Sequence, residues 1–364
     1  MPDGTHDWLM FVGTYTRTGR SKGIYVYRMN GNTGALDLAH TQEGISNPSF
    51  LAIHPNRRFL YAVAEVEESG GVPGGALTAY AIDAKTGSLK RMNHQTTGGP
   101  GPCHVSVDAT GKYAIVANYS GGSVCVIPIS DDGSLKPYSQ FIQHQGGTKV
   151  NPRRQDKAHA HSINLDPANK RAVVNDLGMD RILVYDMDLD KGKLILNETA
   201  SVDSAPGAGP RHFDYHPDGR HAYAINELGC TVTAYDFDSS SGKLSDIQSV
   251  STLPDDFDGQ NSTADIHVHP NGRFVYGSNR GHNSLAIYSI EQGTGRLTFV
   301  GHQSTGGKTP RNFAIHPDGR FLYAANQDTD NIVRFGIDAK TGGLTPQAEV
   351  SCPMPVCLKF MPVG

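Results

Sequence analysis

A basic and an acidic residue stand at the two ends of one predicted β-hairpin. The stretch GAGPRHFDYHPDGRHAYAINE, residues 207–227, holds Arg211 near its start and Glu227 at its end, sixteen residues apart, with an HPDGR turn between them. Arginine stays cationic at physiological pH and binds carboxylate or phosphate with two hydrogen bonds. Glutamate can take a proton from water as a general base. If the hairpin brings the two groups together, they could supply a base and an anion-binding group to one site.

The hairpin belongs to a pattern that recurs along the whole chain. A short apolar run leads into a turn, most often His/Asp-Pro-x-x-Arg, and an aromatic-rich run follows. The first residues of these turns lie 47 to 58 residues apart and are His54, Asp108, Asp166, His216, His269 and His316. A third strand, a turn such as AKTGSL and a fourth strand complete each unit. Four strands repeated at this period are typical of a β-propeller blade.

Both ends of the chain supply parts of a further blade. PVCLKFMP from Pro355 matches a first strand, and LMFVGTYT, GIYVYRMN and LDLAHTQE near the N-terminus match a second, third and fourth. We therefore predict an all-β fold, a seven-bladed β-propeller with four antiparallel strands per blade, closed by a blade shared between the N- and C-termini. Residues 1–364 would form a single domain. Two separate β-sandwiches are the alternative, but the repeat runs without a linker.

Propeller geometry predicts which side chains meet at one mouth of the central channel. The first strand of a blade runs along the channel and the second returns, so the start of one and the end of the other share a face. Five residues before each turn stand Ser49, Cys103, His161, Arg211, Ala264 and Arg311, and eleven after it stand Glu65, Tyr119, Leu177, Glu227, Arg280 and Gln327. Polar groups converging on a concavity suggest a ligand site, although each could instead tie neighbouring blades together.

Composition and charge exclude several classes of partner. The net charge is −4, and no basic patch stands out beyond NPRRQDK, so we expect no nucleic-acid partner. No apolar run is long enough to span a membrane, and the N-terminus lacks a basic segment followed by an apolar one, so we expect neither a membrane partner nor a secretory signal. The five cysteines show no regular spacing, which indicates free thiols and a cytoplasmic location.

Other reactive motifs are weak. The look-alike of a nucleophile elbow, NYSGGS at Asn118, lacks a strand-to-helix context, and Cys103 beside His104 is interpreted as a buried strand residue. ADIHVHP suggests metal ligands, but its last histidine belongs to a turn, so we expect no metal and no cofactor. Arg153, Arg154 and Lys157 could meet a phosphate or could belong to a solvated loop.

Several of these stretches resemble the seven-bladed β-propeller lactonases, a family that includes 6-phosphogluconolactonases and carboxymuconate cyclases. The resemblance covers essentially the whole chain. The stretches that carry it are GAGPRHFDYHP at Gly207, INEL at Ile225, ADIHVHPNGRFVYGSNR at Ala264 and TPRNFAIHPDGRFL at Thr309, with HAHSINLDP at His159, VGTYT at Val12 and NPSFLAIHP at Asn47.

The resemblance implies metal-independent lactone chemistry at the channel mouth. Matched by motif, the family's catalytic set would be His161, Arg211, Glu227 and Arg280. Glu227 would take a proton from water, Arg211 or Arg280 would hold the oxyanion, and His161 would donate or accept a proton. HAH also offers His159, which leaves the acting histidine open.

The predicted function is hydrolysis of a sugar-acid lactone, 6-phosphogluconolactone to 6-phosphogluconate. The enzyme would act on this small-molecule substrate without a cofactor. A lactonising carboxymuconate cyclase is one alternative, and a non-catalytic propeller that binds a protein or peptide is another. The residues expected to contact substrate beside the catalytic set are Glu65, His104, His159, Asp265, His267, Arg311 and Gln327.

Overall fold

A computed structural model describes residues 7–363, and each of its named elements is a β-strand. Seven antiparallel sheets stand in a ring, which confirms the predicted all-β seven-bladed propeller. Residues 1–6 and residue 364 lie outside the described part. The first of these ranges begins the N-terminal stretch in which we expect no secretory signal. None of the described segments forms a helix with the length and apolar character needed to traverse a membrane.

Blades 1 to 6 follow one another along the chain, and within each of them the first to the fourth strand also succeed one another in sequence. Their bounds are Leu51–Ile53, Phe59–Ala64, Ala76–Ile82 and Leu89–Thr96 for blade 1; Pro102–Val107, Tyr113–Asn118, Ser123–Pro128 and Gln140–Gln143 for blade 2; Ala160–Leu165, Arg171–Asp176, Arg181–Asp188 and Lys193–Leu196 for blade 3; Pro210–Tyr215, His221–Asn226, Thr231–Phe237 and Leu244–Ser251 for blade 4; Thr263–Val268, Phe274–Asn279, Ser284–Ile290 and Leu297–Ser304 for blade 5; and Pro310–Ile315, Phe321–Asn326, Asn331–Ile337 and Leu344–Ser351 for blade 6.

Blade 7 joins both ends of the chain, as predicted. Its first strand is the C-terminal Pro355–Pro362, and its second, third and fourth are Trp8–Thr14, Gly23–Met29 and Leu36–Glu43. The two terminal strands pair antiparallel from Trp8 opposite Pro362 to Gly13 opposite Cys357. This pairing closes the ring without an exposed sheet edge at the seam, which would otherwise be prone to pair with other chains.

Blade 3 departs from the four-strand prediction. Its fourth strand, Lys193–Leu196, pairs with the last part of Arg181–Asp188 only, from Tyr185 onward. The short strand Val202–Asp203 pairs with the uncovered start of that same strand.

Blade 1 carries an inserted two-stranded hairpin, Glu68–Ser69 with Val72–Pro73, between its second and third strands. Both additions lie outside the repeating pattern from which the blades were predicted.

The hydrophobic core lies between neighbouring blades rather than at the centre of the ring. The second strand of blade 4, His221–Asn226, is buried along its whole length, whereas its fourth strand, Leu244–Ser251, is largely exposed. Tyr223 and Ile225 of blade 4 pack in one cluster with Ile266 of blade 5. Burial of apolar faces between sheets drives this stacking, because removal of apolar surface from water is favourable.

The recurring turns tie each blade to the next on the face opposite the predicted site. His54 Nε2 donates a hydrogen bond of 3.0 Å to the carbonyl of Gly111 in the next blade. The same bond joins His216 to Gly272 and His269 to Gly319. Buried tyrosines add a second set of ties, which join Tyr61 to Gly133, Tyr223 to Gly295, Tyr276 to Gly342 and Tyr323 to Gly34. The HPDGR stretch is therefore a structural turn.

A β-bulge interrupts the first strand of five blades at an equivalent place. The pairing shifts between Pro102/His104, Ala160/Ser162, Pro210/His212, Thr263/Ile266 and Pro310/Asn312. The extra residues include Cys103, His161, Arg211, Ala264 and Arg311, which are positions counted five before the turns. A bulge leaves its extra residue unpaired and redirects its side chain, and bulges are frequent next to active sites.

Candidate active site

One mouth of the channel gathers the bulge residues around a small cavity. Its lining residues are Tyr15, Ser49, Phe50, Glu65, Cys103, His161, Arg211, His212, Arg311 and Val356. Four of the five bulge residues are among them, and Ala264 is not. The prediction that the starts of the first strands share one mouth therefore matches the observed cavity.

Glu227 lies at the centre of an ionic cluster beside this cavity. Its Oε2 lies 2.9 Å from Arg211 Nε and 3.0 Å from Arg280 Nη2. Its Oε1 accepts a hydrogen bond of 2.6 Å from Arg154 Nη2, and His161 Nε2 lies 4.0 Å from Oε2. The structure thus brings together His161, Arg211, Glu227 and Arg280, the four residues predicted as the catalytic set, although they come from three different blades.

The charge of Glu227 is set by these arginines. Burial acts to raise the pKa of its carboxyl, but Arg280, Arg211 and Arg154 outweigh burial and hold that pKa well below its usual range. An opposite charge within about 4–6 Å favours the ionised form of a carboxyl. Glu227 is therefore an anion at any working pH, and its carboxylate fixes the three guanidinium groups in place.

Arg211 and Arg280 each divide their donors between this carboxylate and the backbone. Arg211 Nη1 donates to the carbonyl of Ala264, and Arg280 Nη2 donates to that of Thr263. Burial, together with Arg280 and Arg311, lowers the pKa of Arg211 to about 10, so that it remains cationic at neutral pH. Arg280 Nε is buried and has no hydrogen-bond partner among residues 7–363.

Arg311 is a second kind of arginine at this mouth. Within the described chain, it has no carboxylate within salt-bridge distance and no side-chain hydrogen bond, and it lies over the Tyr15 ring at 5.3 Å. The nearby carboxylate of Glu65 accepts hydrogen bonds from Tyr15, at 2.9 Å, and from Ser49. The donors of Arg311 are therefore available to an anionic ligand.

The two histidines of the HAH motif have different surroundings. His161 lines the cavity, and burial together with Arg211 and His212 lowers its pKa well below 6.5, so the imidazole is neutral. His159 makes hydrogen bonds with the Tyr119 carbonyl and the Asp156 carboxylate, both at 3.0 Å, and does not line the cavity. Of these two histidines, His161 is therefore the one that a ligand in the cavity could contact.

Cys103 lies beside His161, with Sγ 3.9 Å from its Nδ1. Burial raises the pKa of this thiol far above its ordinary value, so the thiolate that a cysteine nucleophile needs does not form. The interpretation of Cys103 as a buried strand residue fits this environment.

Only two of the seven predicted substrate contacts, Glu65 and Arg311, line the cavity. The other five are His104, His159, Asp265, His267 and Gln327. His104 lines a separate cavity of about 440 Å³ with Phe50 and Lys359. Gln327 Nε2 donates to Asp328, at 2.9 Å. Sequence spacing placed these residues close to the channel but could not give the direction of their side chains.

Asp265 and His267 form a network inside the channel wall. Asp265 Oδ1 lies 2.6 Å from His212 Nδ1, and Oδ2 lies 3.1 Å from His267 Nε2. Asn312 Nδ2 also donates to Oδ2, and His269 is engaged with the Gly319 carbonyl. The three residues of ADIHVHP considered as metal ligands therefore contact protein groups and do not converge on one point.

Sequence reasoning missed Tyr15 and His212 at the mouth and left the role of Arg154 open. Tyr15 occupies in blade 7 the position that Gln327 occupies in blade 6, because Thr14 opposes Pro355 as Asn326 opposes Pro310. Extending the count to blade 7, which has no HP turn, would have found it. His212 follows Arg211 directly. Arg154, left open between a phosphate contact and a solvated loop, reaches Glu227 and donates to Tyr119 Oη at 2.9 Å.

Comparisons with known proteins give one matching family and several similar proteins. The family described as "Lactonase, 7-bladed beta-propeller" matches residues 9–360. The chain is 40% identical to the 6-phosphogluconolactonase of Bacillus subtilis over 355 residues, which cover 97% of this chain and 98% of that protein. It is 38% identical to the 6-phosphogluconolactonase of Formosa agariphila, with 84% and 85% covered. The solved periplasmic gluconolactonase of Pseudomonas aeruginosa shares 34% identity with a TM-score of 0.92, covering 98% of this chain and 100% of that one.

Proposed function

The chain belongs to the seven-bladed β-propeller lactonase family, and from this we propose that it hydrolyses 6-phosphogluconolactone to the open-chain acid. The observation that carries the proposal is the cluster of Arg154, Arg211 and Arg280 around the buried Glu227 carboxylate, beside a cavity lined by His161. The names of the Bacillus subtilis and Formosa agariphila relatives support the choice of substrate.

Arg211 and Arg280 would stabilise the oxyanion of the tetrahedral intermediate. Each is anchored by Glu227 and by a backbone carbonyl, so its remaining donors are fixed before the substrate arrives. Donors that are held in position and shielded from water stabilise developing charge strongly, because no reorganisation is needed during the reaction. This role agrees with the one that sequence analysis gave to the two arginines.

The general-base role of Glu227 stays a prediction, and its environment makes the carboxylate a weak base. Three guanidinium groups lower its pKa and already bind both of its oxygens, so neither oxygen is left open to accept a proton from water. The neutral imidazole of His161, 4.0 Å away, is a competing proton acceptor. The main task of Glu227 in this proposal is to hold the arginines.

Arg311 would bind the anionic group that distinguishes a phosphorylated lactone. Its guanidinium lies in the cavity lining and has no ion-pair partner in the part of the chain that the structure describes. Arginine binds phosphate oxygens with paired hydrogen bonds. The likeness to a gluconolactonase makes the unphosphorylated lactone a second candidate substrate.

A substrate panel tests the proposal. Initial rates would be measured on 6-phosphogluconolactone and gluconolactone, each corrected for spontaneous ring opening, and on a carboxymuconate by loss of its ultraviolet absorbance. We expect the phosphorylated lactone to open fastest, with the same rate in the presence of a chelator. Faster opening of gluconolactone would move the assignment to the second candidate. Turnover of the muconate alone would indicate a cyclase, and no turnover would indicate a binding protein.

A further inference from the structure

A histidine that the catalytic set does not include lines the same cavity and is held by a buried carboxylate. His212 and Asp265 are 7% and 2% exposed, and His212 Nδ1 lies 2.6 Å from Asp265 Oδ1. The carboxylate can only accept, so Nδ1 carries the hydrogen and donates it. Nε2 then keeps its lone pair, and it has no hydrogen-bond partner between residues 7 and 363.

Asp265 is itself fixed from several sides. Its Oδ2 accepts hydrogen bonds from Asn312 and from His267 Nε2, at 3.1 Å for the latter. Burial acts to raise the pKa of Asp265, but His267 and His212 hold it well below its ordinary value. An ionised carboxylate locked between blades 4, 5 and 6 therefore orients the imidazole of His212.

Several charged and titratable groups face His212 from the strands packed around it. Arg211 precedes it on its own strand, and the rings of His161 and His104 lie 5.4 and 5.5 Å from its ring. Asp265 and, behind it, His267 face it from blade 5. Burial and Arg211 lower the pKa of His212 to about 4, although Asp265 acts to raise it. The imidazole is therefore neutral at neutral pH.

We propose that His212 is the general base of lactone opening and that Asp265 is its positioning residue; this inference rests on the proposed lactonase function. Nε2 takes a proton from water as the water oxygen bonds to the lactone carbonyl carbon, and the carbonyl electrons move to an oxyanion held by the arginines. When the carbonyl re-forms, the bond to the ring oxygen breaks, and the proton passes from Nε2 to that oxygen. The histidine returns to its neutral form.

His212 suits this task better than its two neighbours at the mouth. Each oxygen of Glu227 is already bound by guanidinium groups. Among residues 7–363, His161 Nδ1 contacts the Cys103 thiol, 3.9 Å away, and no carboxylate is in hydrogen-bond contact with this ring to fix its tautomer. A base oriented by a third group is the arrangement that supports proton transfer in hydrolytic sites.

The first test compares two buried histidines that each contact an aspartate. His144 Nδ1 lies 2.7 Å from Asp176, but its Nε2 is occupied by the Tyr185 hydroxyl at 3.0 Å, and it does not line the cavity. We expect His212→Gln to lower kcat by about 10²–10⁴-fold. His144→Gln should lower the melting temperature while kcat stays near that of the wild-type protein, which separates loss of a base from loss of a buried hydrogen bond.

A second variant, Asp265→Asn, tests the positioning role and serves if His212→Gln fails to fold. Removal of the carboxylate takes away the interaction that raises the pKa of His212, so kcat should fall and the acid limb of its pH profile should move to lower pH. A purely structural role would leave that limb in place. If the wild-type protein opens no lactone, the proposed function fails. If the wild-type protein opens the lactone, two results would overturn only the assignment of the base. One is a His212→Gln variant whose kcat stays within about threefold of the wild-type value; the other is an Asp265→Asn variant with such a kcat and an unmoved acid limb.

Discussion

Arg211 Nε and Glu227 Oε2 lie 2.9 Å apart, so the two ends of one β-hairpin close on each other at the channel mouth. Sixteen residues separate them in the chain, and a turn at the opposite end of the hairpin reverses the strand between them. Arg280 joins the same carboxylate from blade 5, and Arg154 joins it from the segment before blade 3. One buried anion therefore connects three parts of the ring.

Replacing Glu227 by Gln should reduce both activity and stability. The change leaves Arg211 and Arg280 buried without their counter-ion, and loss of one partner from a buried ion pair costs about 3–5 kcal/mol. We expect the free energy of unfolding in urea to fall by that amount and kcat/KM to fall by at least about 10²-fold, because the oxyanion-binding groups lose their support.

Glu198→Gln is the matched control for this change. Glu198 pairs with Arg181, but its side chain is 60% exposed. An exposed ion pair contributes about 0–1 kcal/mol, so this variant should unfold close to the wild-type protein. Equal stability of the two glutamine variants would contradict the structural role given to Glu227.

Two adjacent arginines offer a test of the segment that crosses the mouth. Arg154 donates to Glu227 and to Tyr119, whereas the neighbouring Arg153 is exposed and its side chain makes no ion pair in the described chain. A hydrogen bond to a charged group is worth about 1.5–3 kcal/mol. Arg154→Met should therefore lower kcat/KM by about tenfold or more, and Arg153→Met should leave it unchanged. Equal effects of the two changes on kcat/KM would show that Arg154 contributes to activity no more than an exposed loop residue does.

Arg311 should decide the preference for a phosphorylated lactone. Arg311→Met is expected to raise KM for 6-phosphogluconolactone by about tenfold or more while KM for gluconolactone changes little, since only the former carries the anion that Arg311 would bind. Arg20→Met is the control, because Arg20 is paired with Asp330 at 2.7 Å and is 40% exposed. A similar rise in KM for both lactones would show that Arg311 does not select phosphate.

The sequence was sufficient to predict the architecture because each unit repeats the same pattern of apolar strands and turns. Most units share the same turn residues and the same alternation of buried side chains, so blade boundaries and the shared seventh blade follow from the period. The convergence of Arg211, Glu227 and Arg280 also follows, because strand ends at a fixed distance from the turn share a face. Pairing in blade 3 by Val202–Asp203 could not be foreseen, since it depends on how far the fourth strand covers the third.

Side-chain direction was the part of the site that spacing could not provide. Asp265 and Arg311 stand close to equivalent bulges in neighbouring blades, yet Asp265 turns into the wall toward His212 and Arg311 lines the cavity. A bulge redirects a side chain within one residue, and counting positions along the chain does not detect this change. The role of Arg154 was left open for another reason: it lies in a non-repeating segment, to which the count does not apply.

Buried neutral histidines should make the protein less stable as the pH falls. Burial lowers the folded-state pKa of His104 and His161 well below 6.5 and that of His212 to about 4. Below pH 6.5 the unfolded chain therefore binds more protons than the folded one, and each such histidine reduces the free energy of unfolding by up to about 1.4 kcal/mol per pH unit. The loss for His212 continues down to about pH 4.

His104→Gln isolates one of these contributions. Urea unfolding between pH 7 and pH 5 should show a shallower loss of stability in the variant, by up to about 1.4 kcal/mol per pH unit below 6.5. Identical slopes for the variant and the wild-type protein would mean that His104 titrates normally in the folded state.

The most direct measurement of whether this mouth is a lactonase site is kcat/KM on 6-phosphogluconolactone for the wild-type protein and Arg211→Met, with spontaneous opening subtracted. Removal of a donor to an oxyanion costs about 10²–10³-fold in catalysis, so we predict a loss of at least that size in a variant shown to be folded by circular dichroism. A folded Arg211→Met protein that keeps kcat/KM within about threefold of the wild-type value would contradict the account.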